Sequence, residues 1–437
     1  MSLILAGFAT GTSVFHAQAP AAEQQLIARA RGIHERALVL DTHNDIDPQH
    51  FTAACNYTMP LTTQVNLPRM KAGGQDVSFM IAYVPQGPLT DEGYANAYRR
   101  ASDKFDAVHR LTEQIAPQEI GLALSAADVR RLAGSGRKVA VIGVENGYPI
   151  GLDLRRVKEF YDRGARYMSL AHNGHSQLSD SNTGEATNDF PNGGLTPLGR
   201  QVIAEMNRLG MMVDVSHPSK ASMLQAAQLS AAPIIASHSA VRALANHSRN
   251  MDDEMLMALK KNGGVIQIVA FANYIKTEPA ATSRPRTAAL TALRREFGVT
   301  NSPEESPHPC PVEGAAAEDA LAATSVPVDR RPDYERRLTA LQAEYPASPR
   351  ATVKDFVDHI DYAVKLIGVN HVGISSDFDG GGGITGWSNA SEAFNVTLEL
   401  VRRGYSEQDI DKIWGGNLLR VWEDVERAAT KSRPPSQ

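Results

Sequence analysis

The feature that most constrains this chain is a regular alternation of short apolar runs, rich in β-branched residues, with longer amphipathic segments. Such runs predict strands, and the segments between them predict helices. The alternation is typical of βαβ units around a parallel sheet, and eight units predict an α/β fold of the (β/α)8 TIM-barrel type. The runs are 37–45, 77–84, 138–146, 165–172, 211–217, 233–239, 265–273 and 371–379.

The alternation is interrupted once, after the seventh run. Residues 276–350 are too long for a plain loop in a compact domain, so we interpret them as an insertion with helices near 286–297 and 333–345. Both a lid over the barrel and a surface elaboration fit this segment. We divide the chain into an N-terminal segment (1–34) with a first helix, a barrel domain (35–428) that carries C-terminal helices, and a tail (429–437).

Composition limits the partners of this chain. Lys and Arg number 44 against 49 Asp and Glu, so the net charge is 44 − 49 = −5, which argues against a nucleic-acid partner. No stretch reaches the roughly 18 apolar residues of a membrane-spanning helix, so we predict no transmembrane span. Residues 3–14 and the small residues Ala17-Gln18-Ala19 resemble the end of a secretory signal without its basic start. We therefore favour an exported (periplasmic or secreted) protein over a cytoplasmic one.

Two cysteines, Cys55 and Cys310, are too few for a disulfide framework and lack the spacing of a thiolate metal site. Pairing with each other and two unreactive thiols are both open from the sequence. A metal in this protein would need histidine and carboxylate ligands instead.

Ionisable residues end most of the apolar runs. A parallel barrel brings the carboxyl ends of its strands to one mouth, so we expect these side chains to meet. They are His43, Asp45, Glu145, His172, His217, His238 and Asp377.

Five of these residues suit a pair of metal ions. His43 and Asp45 are two apart and point to the same side of a strand, whereas Asn44 faces away. Histidine and carboxylate donors without cysteine suit Zn²⁺, with Mn²⁺ or Co²⁺ as alternatives. A catalytic zinc uses three protein ligands, so five donors fit two ions that share Glu145 and hold a water between them. This arrangement indicates hydrolysis.

Other polar residues are candidates for moving protons or binding substrate. Asp377 and Asp379 share a strand face, and either carboxylate could pass a proton to a leaving amine. His172 could donate a hydrogen bond to an oxyanion. Arg249 could bind a substrate carboxylate, or it could be a surface arginine that neutralises the following aspartates.

Seven motifs together resemble the membrane (renal) dipeptidase family of zinc metallopeptidases between about residues 35 and 425. They are DTHND, GVENG, YMSLAHN, VDVSH, ASHS followed by SRNMDDEML, GISSDFDG and GNLLRVW. The resemblance implies a TIM barrel with two Zn²⁺ per chain, bridged by Glu145 and a water or hydroxide, and a homodimer. It implies that His43 and Asp45 bind one ion and that His217 and His238 bind the other. It also implies that His172 contacts the substrate and takes part in catalysis, and that Asp377 rather than Asp379 is the acid–base residue. Arg249 is implied to bind the substrate carboxylate.

The resulting hypothesis is a zinc-dependent dipeptidase that hydrolyses dipeptides with a free C-terminal carboxylate. One alternative is another binuclear amidohydrolase acting on lactones, phosphotriesters or cyclic amides. Those sites commonly use H-x-H and a modified lysine, whereas this chain reads H-x-D at His43 and has Glu145 as the bridge. The other alternative is a catalytically silent binding protein that keeps the barrel.

Overall fold

The computed structural model describes residues 21–299, 310 and 326–432, so the signal-like segment and the end of the predicted tail lie outside the described residues. Nine parallel strands form one sheet in the order β1-β2-β4-β5-β6-β7-β8-β9, with β3 paired to β4 beside this path. The strands are β1 (Leu40–Asp45), β2 (Val77–Tyr83), β3 (Ile120–Leu122), β4 (Lys138–Glu145), β5 (Ala165–Ser169), β6 (Met212–Asp214), β7 (Ile235–Ser239), β8 (Val265–Val269) and β9 (Val372–Ser375).

The sheet curls into a barrel whose first and last strands meet. The amide of Asp45 donates to the carbonyl of Phe378 at 2.9 Å, and Asn44 forms a parallel bridge with Phe378. The eight strands of the main path correspond to the eight predicted runs, so the TIM-barrel prediction is confirmed. The ninth strand, β3, was not predicted because three residues (IGL) are too short for a periodic signal.

Helices follow the strands as a (β/α)8 fold requires. Several begin at a side-chain cap and end at a left-handed glycine; the helix that starts at Val353 has a reciprocal capping box with Thr352 and Asp355. The α-helices of the described residues are Ala21–Arg36, Leu67–Gly73, Asp91–His109, Ala126–Gly134, Arg155–Asp162, Pro197–Leu209, Lys220–Leu229, Asp253–Asn262, Ala272–Ile275, Ala280–Phe297, Arg331–Glu344, Val353–Ile367, Phe394–Arg402, Glu407–Asp411 and Asn417–Ser432.

The C-terminal helices bury most of their apolar side chains. Trp422 has no exposed surface, and its ring centroid lies 6.2 Å from that of Phe79. Phe79 in turn stacks on Tyr167 with centroids 5.6 Å apart. These aromatic contacts connect the last helix, through Phe79 in β2, to Tyr167 in β5.

The insertion after the seventh barrel strand contains the two expected helices, Ala280–Phe297 and Arg331–Glu344. They pack through a small cluster that includes Leu293, Phe297 and Val326. Cys310 forms a disulfide with Cys55, whose Cα lies 5.4 Å away, so the insertion is joined covalently to the loop after β1. Among the described residues, no helix is long and apolar enough to cross a membrane.

Gly143 in β4 has a packing role that a substitution can test. A Cβ atom at this position would lie 2.3 Å from the Tyr167 ring. We expect Gly143→Ala to lower the free energy of unfolding by about 1–3 kcal/mol, because overpacking forces the tyrosine to move. Urea-induced unfolding measures this change. Gly134→Ala is the control, since nothing lies within 4 Å of its added Cβ; equal midpoints for the two variants would contradict the expectation.

Candidate metal centre

Sharp turns at the strand ends place carboxylates at the barrel mouth. Glu145 is the last residue of β4, and Asn146 after it has a φ of 72°. Asp377 and Asp379, just beyond β9, have φ values of 59° and 61°. Left-handed backbone is uncommon for residues other than glycine and clusters at functional sites. Gly380 is required there, because a Cβ on it would lie 2.2 Å from Asp45 and 2.5 Å from Asp377.

The Glu145 carboxylate lies at the centre of the predicted ligands. Its Oε1 is 2.9 Å from Nε2 of His217 and 3.2 Å from Nε2 of His238. Its Oε2 is 3.4 Å from Nε2 of His43. The two carboxylate oxygens therefore face different histidines.

The spacing of these atoms fits a divalent cation. Zinc–nitrogen and zinc–oxygen bonds of about 2.0–2.2 Å place two tetrahedral ligands about 3.3 Å apart. The His217 and His238 Nε2 atoms are 3.0 Å from each other, close to that spacing. Among the residues that the structure describes, His43 Nε2 and Asp45 Oδ1 have no hydrogen-bond partner although they are buried, which is rare for polar atoms unless something else binds them. The donor groups within 4.8 Å of one another are His43–Glu145–His238, Glu145–His172–His217 and His43–Asp45–Asp377.

Residues behind the histidines orient their Nε2 atoms. The Tyr167 hydroxyl donates to the carbonyl of Thr42 at 3.0 Å, so it accepts from His43 Nδ1, also at 3.0 Å. His238 Nδ1 lies 2.9 Å from the Ser237 hydroxyl, which donates to Asp214 at 2.7 Å. In both cases Nδ1 carries a proton and Nε2 points into the site, which is the orientation of metal-binding histidines.

Burial and charge shift the pKa values of the site. Burial raises the pKa of Asp377 to about 8, and it raises that of Asp45 to about 6 together with the nearby Glu145 charge. Burial alone would raise the pKa of Glu145, but the surrounding histidines lower it well below its usual value. Burial lowers the pKa of His217 and His238 well below the usual value. Neutral imidazoles beside an ionised carboxylate are the protonation states that bind cations.

The remaining candidates lie beside this cluster. His172 is half-buried, with Nε2 3.8 Å from Glu145 Oε1 and Nδ1 3.4 Å from the Tyr83 hydroxyl. Asp377 Oδ1 lies 4.0 Å from His43 Nε2. Asp379 instead accepts hydrogen bonds from the amides of Gln64 and Val65, which fastens the loop after β1.

Arg249 is buried rather than on the surface. Its guanidinium donates to the carbonyls of Ser216 and His238, and its Cζ lies 5.3 Å from the centroid of the Tyr274 ring. The surface interpretation fails, because its side chain is 3% exposed and Asp252 pairs with Lys220 instead. Arg249 is not itself one of the residues that line the cavity, but it contacts His238 and Tyr274, which do line it.

The cavity above the cluster has a volume of about 1080 Å³. Its walls come from the loop after β1, from the helix Asp91–His109, from the ends of β2, β4 and β7, and from the loops after β5, β6, β8 and β9. Sequence reasoning missed two kinds of residue here. Tyr167 supports His43 from the middle of β5, and the only sequence signal for it is the alternation of inward- and outward-facing residues along that strand. Lys104 reaches the cavity from a helix, so the pattern of ionisable residues at strand ends does not include it.

A parallel eight-stranded barrel with imidazole and carboxylate donors at the carboxyl ends of its strands defines a metallohydrolase. Comparisons with known proteins narrow this class. The profile of the family described as membrane dipeptidase (peptidase family M19) matches residues 27–436. The chain therefore belongs to the membrane dipeptidase family and is a hydrolase of the metallo-dipeptidase class.

Individual relatives agree with this assignment. The chain is 29% identical over 420 residues to the dipeptidase aclJ of Aspergillus oryzae, covering 91% of this chain and 82% of that one. It resembles the crystal structure of the probable dipeptidase PvdM from Pseudomonas aeruginosa at 35% identity and a TM-score of 0.75, covering 93% and 100%. A metallopeptidase from Rhodobacter sphaeroides shares the fold at 20% identity and a TM-score of 0.64, covering 89% and 99%.

The Tyr167 hydroxyl provides a test of how the site is oriented. We expect Tyr167→Phe to lower the affinity for divalent metal about 10- to 100-fold, because His43 loses the partner that directs its Nε2. Titration of the metal-free protein with Zn²⁺ in competition with a chelator measures this change. Tyr161→Phe, on the helix Arg155–Asp162, is the control; equal affinities in the two variants would show that Tyr167 does not position His43.

Proposed function

We propose that this protein is a zinc-dependent dipeptidase that cleaves dipeptides with a free C-terminal carboxylate. The observation that carries the proposal is the position of Glu145, whose two buried oxygens face different histidines at distances suited to a shared ligand. His43 and Asp45 would hold one ion, His217 and His238 the other, and Glu145 both. Bound there, a pair of zinc ions supplies an activated water and polarises the peptide carbonyl.

Asp377 is the proposed acid–base residue. Its carboxyl group lies 4.0 Å from His43 on the cavity side, and burial raises its pKa to about 8. A carboxyl group with a pKa near neutrality can take a proton from the nucleophile and deliver it to the leaving amine. Asp379 is less suited to this role, because its oxygens are engaged by two backbone amides.

His172 is the proposed oxyanion donor. It lines the cavity with Nε2 directed toward the Glu145 cluster, and burial lowers its pKa, so that the neutral ring can offer one N–H group. A donor fixed at this position would stabilise the negative charge that develops on the carbonyl oxygen when the amide is attacked.

Arg249 is the proposed partner of the substrate carboxylate. A guanidinium has five N–H groups, and two of those on Arg249 are taken by the carbonyls of Ser216 and His238, while Nε has no partner. The remaining donors suit a carboxylate that reaches the floor of the cavity beside Tyr274. The crystal structure of the Rhodobacter sphaeroides relative contains a phosphinate mimic of the dipeptide L-Ala-D-Ala, which supports a dipeptide substrate.

The alternatives make different predictions. Another amidohydrolase specificity would not need Arg249, and a silent binding protein would hold metal without peptide turnover. The family match favours the dipeptidase. The homodimer that the resemblance implies stays a prediction, which light scattering of the purified protein tests.

Replacing Glu145 tests the shared ligand. We expect Glu145→Gln to bind metal at least about 100-fold more weakly and to lose dipeptidase activity together with the metal, because an amide cannot supply two anionic oxygens to two cations. Metal analysis coupled to hydrolysis of a dipeptide library measures both. Glu185→Gln, which removes a half-exposed ion pair with Arg242, is the control. A metal-free Glu145→Gln variant with full activity would refute the assignment.

Replacing Arg249 tests the recognition of the carboxylate. We expect Arg249→Ala to lower kcat/KM for a dipeptide about 10- to 100-fold, the worth of a charged hydrogen bond, and to leave hydrolysis of the same dipeptide amide much less changed. Arg249→Lys keeps the charge and controls for damage to the backbone that Arg249 supports. An equal loss on acid and amide substrates would assign Arg249 a purely structural role.

A further inference from the structure

The cavity has a positively charged wall that the proposed mechanism does not use. Every lysine and arginine among the described residues that line the cavity belongs to one short segment of chain: Arg100, Lys104 and Arg110. Asp103 from the same segment and Asp47 opposite it also reach this part of the cavity. The segment that forms this wall follows β2 in the chain. It is therefore separate from the strand ends that carry His217 and His238, the proposed ligands of the second ion.

Lys104 is the residue of this wall that is placed for a ligand. Its side chain is half-buried, and its Nζ lies 5.4 Å from the centroid of the Tyr83 ring. Within the described part of the chain, its ammonium group has no hydrogen bond or ion pair. Arg110, by contrast, donates through Nε to the carbonyl of Phe51. A cation that has lost much of its water and forms no direct ion pair can receive an anion.

Lys104 belongs to the same electrostatic environment as the metal centre. The charges of Asp45 and Glu145 raise the pKa of Lys104, although burial lowers it overall, and Lys104 in turn lowers the pKa of Asp45. The ammonium group of Lys104 would therefore also act electrostatically on a charged substrate bound at the metal centre.

The barrel order places Lys104 opposite Arg249. Lys104 lies above Tyr83, the last residue of β2, whereas Arg249 is bound to the carbonyl of His238 in β7. β2 and β7 are four steps apart in the eight-strand order, which is half of the barrel circumference. A dipeptide with its C-terminal carboxylate on Arg249 and its peptide bond at the centre would thus direct its amino-terminal residue toward Lys104.

The cavity has room for such a group. Its volume of about 1080 Å³ exceeds the roughly 300–1,000 Å³ of typical small-molecule pockets, whereas a dipeptide with small side chains needs less. Arg100, Lys104 and Arg110 line this cavity, so a longer side chain on the amino-terminal residue could extend toward them.

We propose that Lys104 is a specificity-determining residue that binds a second carboxylate of the substrate, so that the enzyme prefers dipeptides with an acidic side chain on the amino-terminal residue. This inference rests on the proposed dipeptidase function and names its substrate class. The acidic side chain would supply the anion that the Lys104 ammonium lacks, while the main-chain carboxylate binds Arg249 at the other side of the mouth.

The test compares substrates of equal size that differ in one charge. For the metal-loaded protein, we expect kcat/KM for Glu-Ala to exceed that for Gln-Ala on the order of 10- to 100-fold, the worth of a charged hydrogen bond. Lys104→Gln should bring this ratio close to one, and Lys104→Arg should retain most of it. Arg99→Gln, which removes the same charge from an exposed position on the same helix, should leave the ratio as in the unchanged protein.

Each outcome can be separated from failure of the proposed function. Hydrolysis of Gln-Ala with no preference for Glu-Ala, or a preference that persists in Lys104→Gln, overturns the role of Lys104 and leaves the dipeptidase intact. If the ratio of Ala-Glu to Ala-Gln responds to Lys104→Gln instead, the assignment to the amino-terminal residue is wrong. If the metal-loaded protein hydrolyses none of the four dipeptides, the proposed function itself fails, and this inference with it.

Discussion

The structure depends on one buried carboxylate. Glu145 has 3% of its surface exposed and is surrounded by imidazole nitrogens, and an ionised group in such a place is very costly without opposite charge. Part of the compensation comes from His43: burial lowers its pKa, but the neighbouring carboxylates Glu145, Asp377 and Asp45 together raise it to about 9. A divalent cation would replace that proton. The barrel holds these charges close together, because the donors lie at the carboxyl ends of its strands.

Much of the site could be predicted because the carboxyl ends of all strands in a parallel barrel lie at the same face. Residues that end different strands, such as His43, Glu145 and His238, meet at one mouth whatever connects them. The sequence could not show how the ligands are held. Tyr167 supports His43 across 124 residues of chain, and a buried tyrosine in an apolar strand looks like any core residue.

Features outside the strand pattern were predicted less well. The pairing of Cys55 with Cys310 stayed open, because a separation of 255 residues carries no signal that two side chains meet. The insertion within the barrel domain is recognisable by its length and composition, and the division of the chain into 1–34, 35–428 and 429–437 stays a prediction. Its disulfide fixes it to the loop after β1, which forms one wall of the cavity through His50 and Tyr57. The insertion is therefore joined to the loop that carries this wall by a covalent bond that the strand pattern does not encode.

The central claim is that Glu145 is shared by two cations at the barrel mouth. Crystals of the protein soaked with zinc, measured at wavelengths on both sides of the zinc absorption edge, locate bound zinc directly by anomalous scattering. We expect two peaks roughly 3.5–4 Å apart, one beside His43 and Asp45 and one beside His217 and His238, with an oxygen of Glu145 bound to each. A single peak, or peaks that Glu145 does not join, would contradict the account.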